Sequence, residues 1–300
     1  MKNRNVRRGQ KLSVSKEQLI GSGAASWVYA LDNGDIVKVL KNGTPEDAER
    51  EILLSKWAFL KGIPTAISYD VAEVDGHLGL VYEFLGRENL RNAFRDRPAC
   101  FDALMTDYLT LLRTVNGITD DEGVLPAAAD LYRVALEDLS DQLTAAEIEK
   151  TKVLLASVPD SGTIIHGDCQ IKNVRVVNGK LFLIDLDTLA RGDAIFELAA
   201  LFCCYRCYPA LSPESHNTFF DIPTEMLSKI LDGVLDGYFP GLSAAAREEN
   251  TRKTALLGWL ITASYVRHDS PEDAEALKLL LDRFRETLAV VEDLRLIRGR

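Results

Sequence analysis

Ile164-Ile165-His166-Gly167-Asp168-Cys169-Gln170-Ile171-Lys172-Asn173, then Asn178-Gly179, then Ile184-Asp185-Leu186-Asp187 and Gly192-Asp193, is the stretch that decides how this 300-residue chain is read. Short β-branched runs alternate there with acids, an amide and a histidine, so ionisable and chelating groups fall at strand ends and in a turn. Asp168 and Asn173 share one loop. Asn178-Gly179 between two apolar runs is a strong hairpin signal, and the hairpin it predicts brings Asp185 back beside the loop that carries Asn173. A carboxylate and an amide oxygen make a hard, all-oxygen site suited to Mg²⁺, which keeps part of its water and takes further ligands from substrate phosphates. Asp168 is then left to accept the proton of an attacking hydroxyl, as phosphoryl transfer to an alcohol requires. A purely structural turn with a buried Asp needs no acid, amide and second acid at these offsets.

Upstream, residues 17–20 and 26–31 read as strands flanking Gly21-Ser22-Gly23-Ala24-Ala25-Ser26, where small residues let backbone N–H groups approach phosphates closely. The turn Asp32-Asn33-Gly34-Asp35 leads into a third strand, 36–40. Lys38 sits in that otherwise apolar strand, and burying its ammonium without an anionic partner is costly. Thr44-Pro45-Glu46-Asp47 has the cap, the N1 proline and the acid of a helix start, and the helix it opens extends to about Lys61. Glu51 on that helix is the candidate partner of Lys38. Residues 66–74 and 77–84, joined by Asp75-Gly76, form a second hairpin and complete a five-stranded sheet.

The order His166-Gly167-Asp168, Asn173, Ile184-Asp185 and Gly192-Asp193 resembles the signature of the aminoglycoside phosphotransferase and choline kinase family, a branch of the protein-kinase-like fold. The resemblance implies an α+β, bilobal protein: an N-lobe, residues 1–86, with a five-stranded antiparallel sheet and one helix, and a larger, mainly helical C-lobe, residues 87–300. It implies ATP and Mg²⁺ as cofactors, Asp168 as catalytic base, Asn173 and Asp185 as magnesium ligands, and Asp193 as a buttress of the loop. Lys38, positioned by Glu51, matches the lysine that holds the α and β phosphates, and Gly21, Ser22 and Gly23 form the loop over them. Glu83 and Leu85 fall at the implied hinge, where backbone groups hold the adenine edge.

The protein-kinase pattern itself is not kept. Ser26 stands where a third glycine would be, Gly167 where an arginine would read a phosphorylated loop, and Gln170 where the catalytic-loop lysine would be; Asp185-Leu186-Asp187 replaces Asp-Phe-Gly. No Ala-Pro-Glu follows, and the interval from Asp185 to Asp193 is too short for an activation loop. A small-molecule hydroxyl, on an aminoglycoside, choline-like or sugar-like compound, is therefore expected as acceptor. A protein Ser/Thr kinase-like enzyme and a catalytically silent nucleotide-binding scaffold are the alternatives.

Composition supports a folded chain with a sizeable core, at 47% hydrophobic residues. The net charge of −10 is uneven: residues 1–90 hold 12 basic and 12 acidic side chains, and residues 91–300 hold 23 and 33. An acidic second lobe disfavours nucleic acid as partner and mildly favours a cationic acceptor. Lys2, Arg4, Arg7, Arg8 and Lys11 precede no apolar segment, so the amino terminus reads as a solvated end rather than a secretory signal. No apolar run approaches the ~18 residues of a bilayer span, and a cytoplasmic protein without membrane partner is expected.

An odd count of five cysteines excludes a full disulfide framework. Cys203, Cys204 and Cys207, with His216 nearby, offer zinc only one Cys-x-x-Cys pair; packing as small hydrophobes in a buried helix is the better reading. Helices are expected along 101–115, from Thr144 to before Pro159, from Thr224, from Ser243, and from Ser270-Pro271 to the stripe Leu277, Leu280, Leu281, Phe284, Leu288 and Val291.

Overall fold

The computed structural model describes residues 9–23, 25–212 and 214–299. Lys2, Arg4, Arg7 and Arg8 of the basic end, and Ala24 of the glycine loop, lie outside them. The chain forms two compact units, residues 1–89 with 174–187, and residues 90–173 with 188–300.

The first unit is a sheet carrying one helix. Its strands are β1 (Gln10–Leu12), β2 (Leu19–Ser22), β3 (Ser26–Ala30), β4 (Asp35–Leu40), β5 (Ser68–Val74) and β6 (His77–Glu83), in the order β1-β5-β6-β4-β3-β2, with α1 (Pro45–Leu60) between β4 and β5. The five expected strands are present and antiparallel. The sixth, β1, adds in parallel beside β5, with Gln10 opposite Ala72 and Leu12 opposite Val74. Residues 16–18, read partly as strand, form instead a single 3₁₀ turn closed by a Ser15–Gln18 capping box.

Alternation along β4 decides where Lys38 points. Val37 and Val39 are buried with Ala72, Val74 and Val81 on one face. Lys38 lies between them in sequence and so belongs to the opposite face, with Leu40, which packs against Ala48 of α1 and Leu80. On α1, Ala48, Ser55 and Ala58 are buried, and Glu51 shares their stripe by its i+3 and i+4 spacing, whereas Glu49 is exposed. The strand and helix periods together therefore aim Lys38 and Glu51 at the same layer. The hairpin Val174–Val177/Lys180–Leu183 joins this unit through its backbone: Leu183 N–H donates to the Pro64 carbonyl at 2.7 Å, Val176 N–H to the Glu88 carbonyl at 3.0 Å, and the Thr65 hydroxyl to the Leu183 carbonyl at 2.8 Å.

The second unit is helical: α2 (Leu90–Asp96), α3 (Phe101–Asn116), α4 (Ala128–Asp138), α5 (Ala145–Ser157), α6 (Ala194–Phe202), α7 (Tyr208–Leu211), α8 (Thr224–Gly237), α9 (Ala244–Asp269) and α10 (Ala274–Val290). A π-helical turn, Cys203–Cys207, links α6 to α7. Helix α4 has no side-chain cap on its first turn, which removed the usual sequence signal for its start. Helix α10 begins three residues after Pro271, because the Asp273 carboxylate, not Ser270, caps it by accepting from the Ala276 N–H at 3.0 Å. The run Ala194–Leu211 is long and apolar enough to cross a bilayer, contrary to the reading of the sequence, yet 67% of it is buried within the protein, as expected of a core helix.

The helix that carries Glu51 depends on its capping box, in which Thr44 Oγ1 accepts from Asp47 N–H and Asp47 Oδ2 accepts from Thr44 N–H. Thr44→Ala is expected to lower stability by about 1 kcal/mol, and Thr44→Ser to retain it, as measured by urea unfolding.

Candidate active site

In the first unit, Lys38 Nζ donates to Glu51 Oε1 at 2.9 Å and to Asp185 Oδ1 at 2.8 Å. The Lys38 and Glu51 side chains are each 14% exposed. Burial alone would pull the lysine pKa down; the two carboxylates, Asp185 first, more than reverse this and raise it above its ordinary value. Glu51 also accepts from the Tyr82 hydroxyl at 2.5 Å. That phenol is driven well above its usual pKa by burial and by the Glu51 charge. Tyr82 escaped the sequence reading because an aromatic residue in a strand carries no mark of a polar role.

Asp185 follows the hairpin with φ +64, a left-handed conformation that Asp tolerates better than most residues. Its side chain is 46% exposed, and Oδ2 takes no hydrogen bond among the described residues. One oxygen is thus committed to Lys38 and the other is unspent.

The glycine loop leaves β2 at Ser22 and closes through Gly23 N–H to the Ser26 carbonyl at 2.9 Å. A Cβ built on Gly23 meets nothing within 4 Å, so packing within this chain does not demand glycine there. What a side chain would obstruct is the open space over the loop, where a phosphate would approach. Lys41 Nζ donates to the Gly23 carbonyl at 2.6 Å and stands 5.1 Å from the centre of the Trp27 ring, tethering the loop from β4. Glu83, the last residue of β6, is exposed and pairs with Asp35 of β4; Leu85, two residues on, is half-buried, and its N–H and C=O make no hydrogen bond among the described residues.

In the second unit, most backbone polar groups of the loop 166–173 have an individual partner. Glu197, fully buried on α6, accepts from the His166 N–H at 2.6 Å and the Gly167 N–H at 3.4 Å. The Thr188 hydroxyl donates to the His166 carbonyl at 2.8 Å, and Asp168 N–H donates to His166 Nδ1 at 3.2 Å. The Tyr108 hydroxyl donates to the Cys169 carbonyl at 2.5 Å, and Ile171 N–H donates to the Tyr205 hydroxyl at 2.8 Å. Tyr205 lies in the π turn, whose extra residue per turn changes the facing of that segment; such turns recur at functional sites. Cys203 and Cys207 are buried and Cys204 half-buried, all as free thiols.

Asn173 Nδ2 donates to the Asp168 carbonyl at 3.0 Å and to Asp168 Oδ2 at 2.6 Å. Because both of those oxygens accept, the nitrogen of the amide must face them, and Asn173 Oδ1 is left as an outward acceptor. Asp193, the implied buttress, instead caps α6 by accepting from the Ile195 N–H and pairs with Arg298 at 2.7 Å; Glu197, one turn on, takes the loop N–H groups. Glu197, Tyr108 and Tyr205 were illegible in sequence, since each stands in an apolar helical stripe that reads as core.

Among the described residues no cluster of three or more His, Cys, Asp or Glu side chains could hold a metal. An amide oxygen and a carboxylate are each the kind of donor a hard cation takes, and Asn173 in the second unit and Asp185 in the first each supply one.

A sheet-bearing unit with a lysine–glutamate pair, joined to a helical unit with a base-and-amide loop, is the α+β arrangement of protein-kinase-like phosphotransferases. A model of the phosphotransferase enzyme family matches residues 16–222, and the chain belongs to that family. Similar solved structures include an aminoglycoside phosphotransferase bound to ADP, 17% identical, covering 90% of this chain and 93% of that one, with a TM-score of 0.56. The amicoumacin kinase hAmiN, in complex with AMP-PNP, Ca²⁺ and Ami, is 14% identical over 94% and 90%, TM-score 0.58. A choline/ethanolamine kinase family protein from Mesorhizobium loti is 15% identical over 90% and 86%, TM-score 0.55. A search of the curated proteins finds no match.

Two predictions follow from the geometry. Gly167 has φ +80, and a Cβ there would meet the Thr188 carbonyl oxygen at 2.7 Å, so Gly167→Ala should displace the loop and reduce kcat by about 10²-fold. Lys38→Met leaves Glu51 buried without its cation and should cost about 3 kcal/mol in urea unfolding. Lys38→Met with Glu51→Gln should recover more than half of that loss.

Proposed function

We propose that the protein is an ATP- and Mg²⁺-dependent phosphotransferase that moves the γ-phosphoryl group to a hydroxyl of a small molecule. The observation that carries this reading is the Asp168–Asn173 pair: one amide fixes the carboxylate of the base through Nδ2 and presents Oδ1 outward. An isolated structural turn has no use for that division of labour.

In this reading Asp168 accepts the proton of the acceptor hydroxyl and aligns its oxygen for attack. Asn173 and Asp185 hold Mg²⁺, which when bound neutralises charge on the nucleotide phosphates. Lys38 clamps the α and β phosphates, and Glu51, itself held by Tyr82, keeps the ammonium from collapsing wholly onto Asp185. Gly21, Ser22 and Gly23 supply backbone N–H groups over the phosphates, and the backbone of Glu83 and Leu85 holds the adenine edge. Glu197, Tyr108 and Tyr205 position the loop without touching substrate. The nucleotide complexes among the structural neighbours support ATP as donor, and the short stretch between Asp185 and α6 supports a small acceptor over a peptide.

Asp168→Asn should lower kcat by about 10² to 10⁴ while leaving nucleotide affinity unchanged, as read by single-turnover kinetics and ADP titration. ATP should raise the melting temperature clearly only when Mg²⁺ is present; equal stabilisation without the metal would speak for a scaffold.

A further inference from the structure

The second unit is acidic overall, yet the side chains beside its catalytic loop are of opposite sign. Arg91 and Arg95 project from α2, and the Arg91 N–H donates to the Ile171 carbonyl at 3.1 Å, fastening that helix to the loop. Lys172 belongs to the loop itself, four residues after Asp168. Facing them is a single shared carboxylate: Asp221 Oδ2 accepts from Arg91 Nη1 at 3.0 Å and Arg95 Nη1 at 2.7 Å, and its Oδ1 lies 3.2 Å from His216 Nε2. Asp96 takes a second fork of Arg95, with Nε to Oδ1 at 2.7 Å.

Pinning of the 214–223 segment to α2 accounts for Asp221 but leaves two features over. Lys172 Nζ lies 3.8 Å from the centre of the exposed Phe219 ring and donates only to the Phe219 carbonyl, at 3.3 Å; no carboxylate pairs with it among the described residues. Arg91 Nε, in turn, is buried with no acceptor. Arg91 and Arg95 thus share, with donors unspent and Lys172 close to Arg91, an Asp221 carboxylate that is 59% exposed and therefore readily displaced.

We propose that the acceptor carries an anionic group, a phosphate or a carboxylate, which binds Arg91, Arg95 and Lys172 where the Asp221 carboxylate now stands in for it. This rests on the phosphotransfer reading, and it selects a sugar-like alcohol bearing an acid over aminoglycoside or choline-like compounds. Phe219 offers its ring edge to the body of such a molecule.

The test separates binding from turnover. Inorganic phosphate is titrated by calorimetry into the full chain loaded with ADP, at constant ionic strength. Phosphate should bind the wild type, Arg95→Gln should weaken it by about tenfold or more, and Asp221→Asn, by removing the internal competitor, should tighten it by a similar factor. A merely structural Asp221 would lower the melting temperature without tightening phosphate, and that result, or binding indifferent to both substitutions, overturns the site. A panel of alcohols, each as phosphomonoester, carboxylate and neutral or amine-bearing analogue, is then scored for stimulated ATP consumption. Preference for phosphomonoesters or for carboxylates identifies the anion. Preference for neutral or amine-bearing alcohols overturns the proposal and leaves phosphotransfer standing, whereas silence across the panel, with no effect of Asp168→Asn on residual ATP hydrolysis, removes the phosphotransfer reading itself.

Discussion

An ammonium in a sheet interior cannot stand alone, and Lys38 is where that constraint is met. Its charge, with 14% of its side chain exposed, is shared by a carboxylate from α1 and another from the 174–183 hairpin's exit. Desolvation disfavours such a cation; only two anions at hydrogen-bond distance make it the stable form. The pairing therefore fixes the depth of α1 against the sheet and the end of the hairpin at once. Tyr82 adds a fourth member, its phenol donating to the same Glu51 oxygen that accepts from the lysine.

The loop 166–173 is held by different means. Its backbone is irregular, so neither helix nor sheet supplies hydrogen bonds, and each exposed amide or carbonyl in a buried setting needs an individual partner. Four elements provide them: α3 through Tyr108, the π turn through Tyr205, α6 through Glu197, and the 186–188 turn through Thr188. The glycine at 167 is the steric counterpart, admitting the Thr188 carbonyl where any side chain would collide. Rigidity at Asp168 is in this sense spread over residues far apart in sequence, none of which touches the reacting atoms.

Much of this was written locally. The hairpin chemistry of Asn178-Gly179 and Asp75-Gly76, the capping residues of Thr44 and Thr144, and the alternation around Lys38 act over a few residues, so the sheet, α1 and the Lys38–Glu51 pair were legible. Partners that meet only through tertiary packing were not. Glu197 sits in one of the most apolar helices of the chain, Tyr205 gains its role from a π turn that no residue pattern announces, and β1 pairs across a gap of some sixty residues with a strand whose own sequence calls for no parallel neighbour. Asp193 was assigned a role that its neighbour one turn on performs, because motif spacing records which residues recur and not which oxygen faces which amide.

The hairpin at 174–183 has one more consequence, for the order of synthesis. The six-stranded sheet of the first unit is finished by residue 83, but Pro64, Thr65 and Glu88 find their partners only on Val176 and Leu183. A ribosome must therefore make all of residues 90–173 before the first unit can close these hydrogen bonds, and until then the Pro64 and Glu88 carbonyls and the Thr65 hydroxyl stay open to water. Cutting the chain at a single point near residue 86 would separate no complete unit, since the polypeptide leaves the first, returns to it, and leaves again.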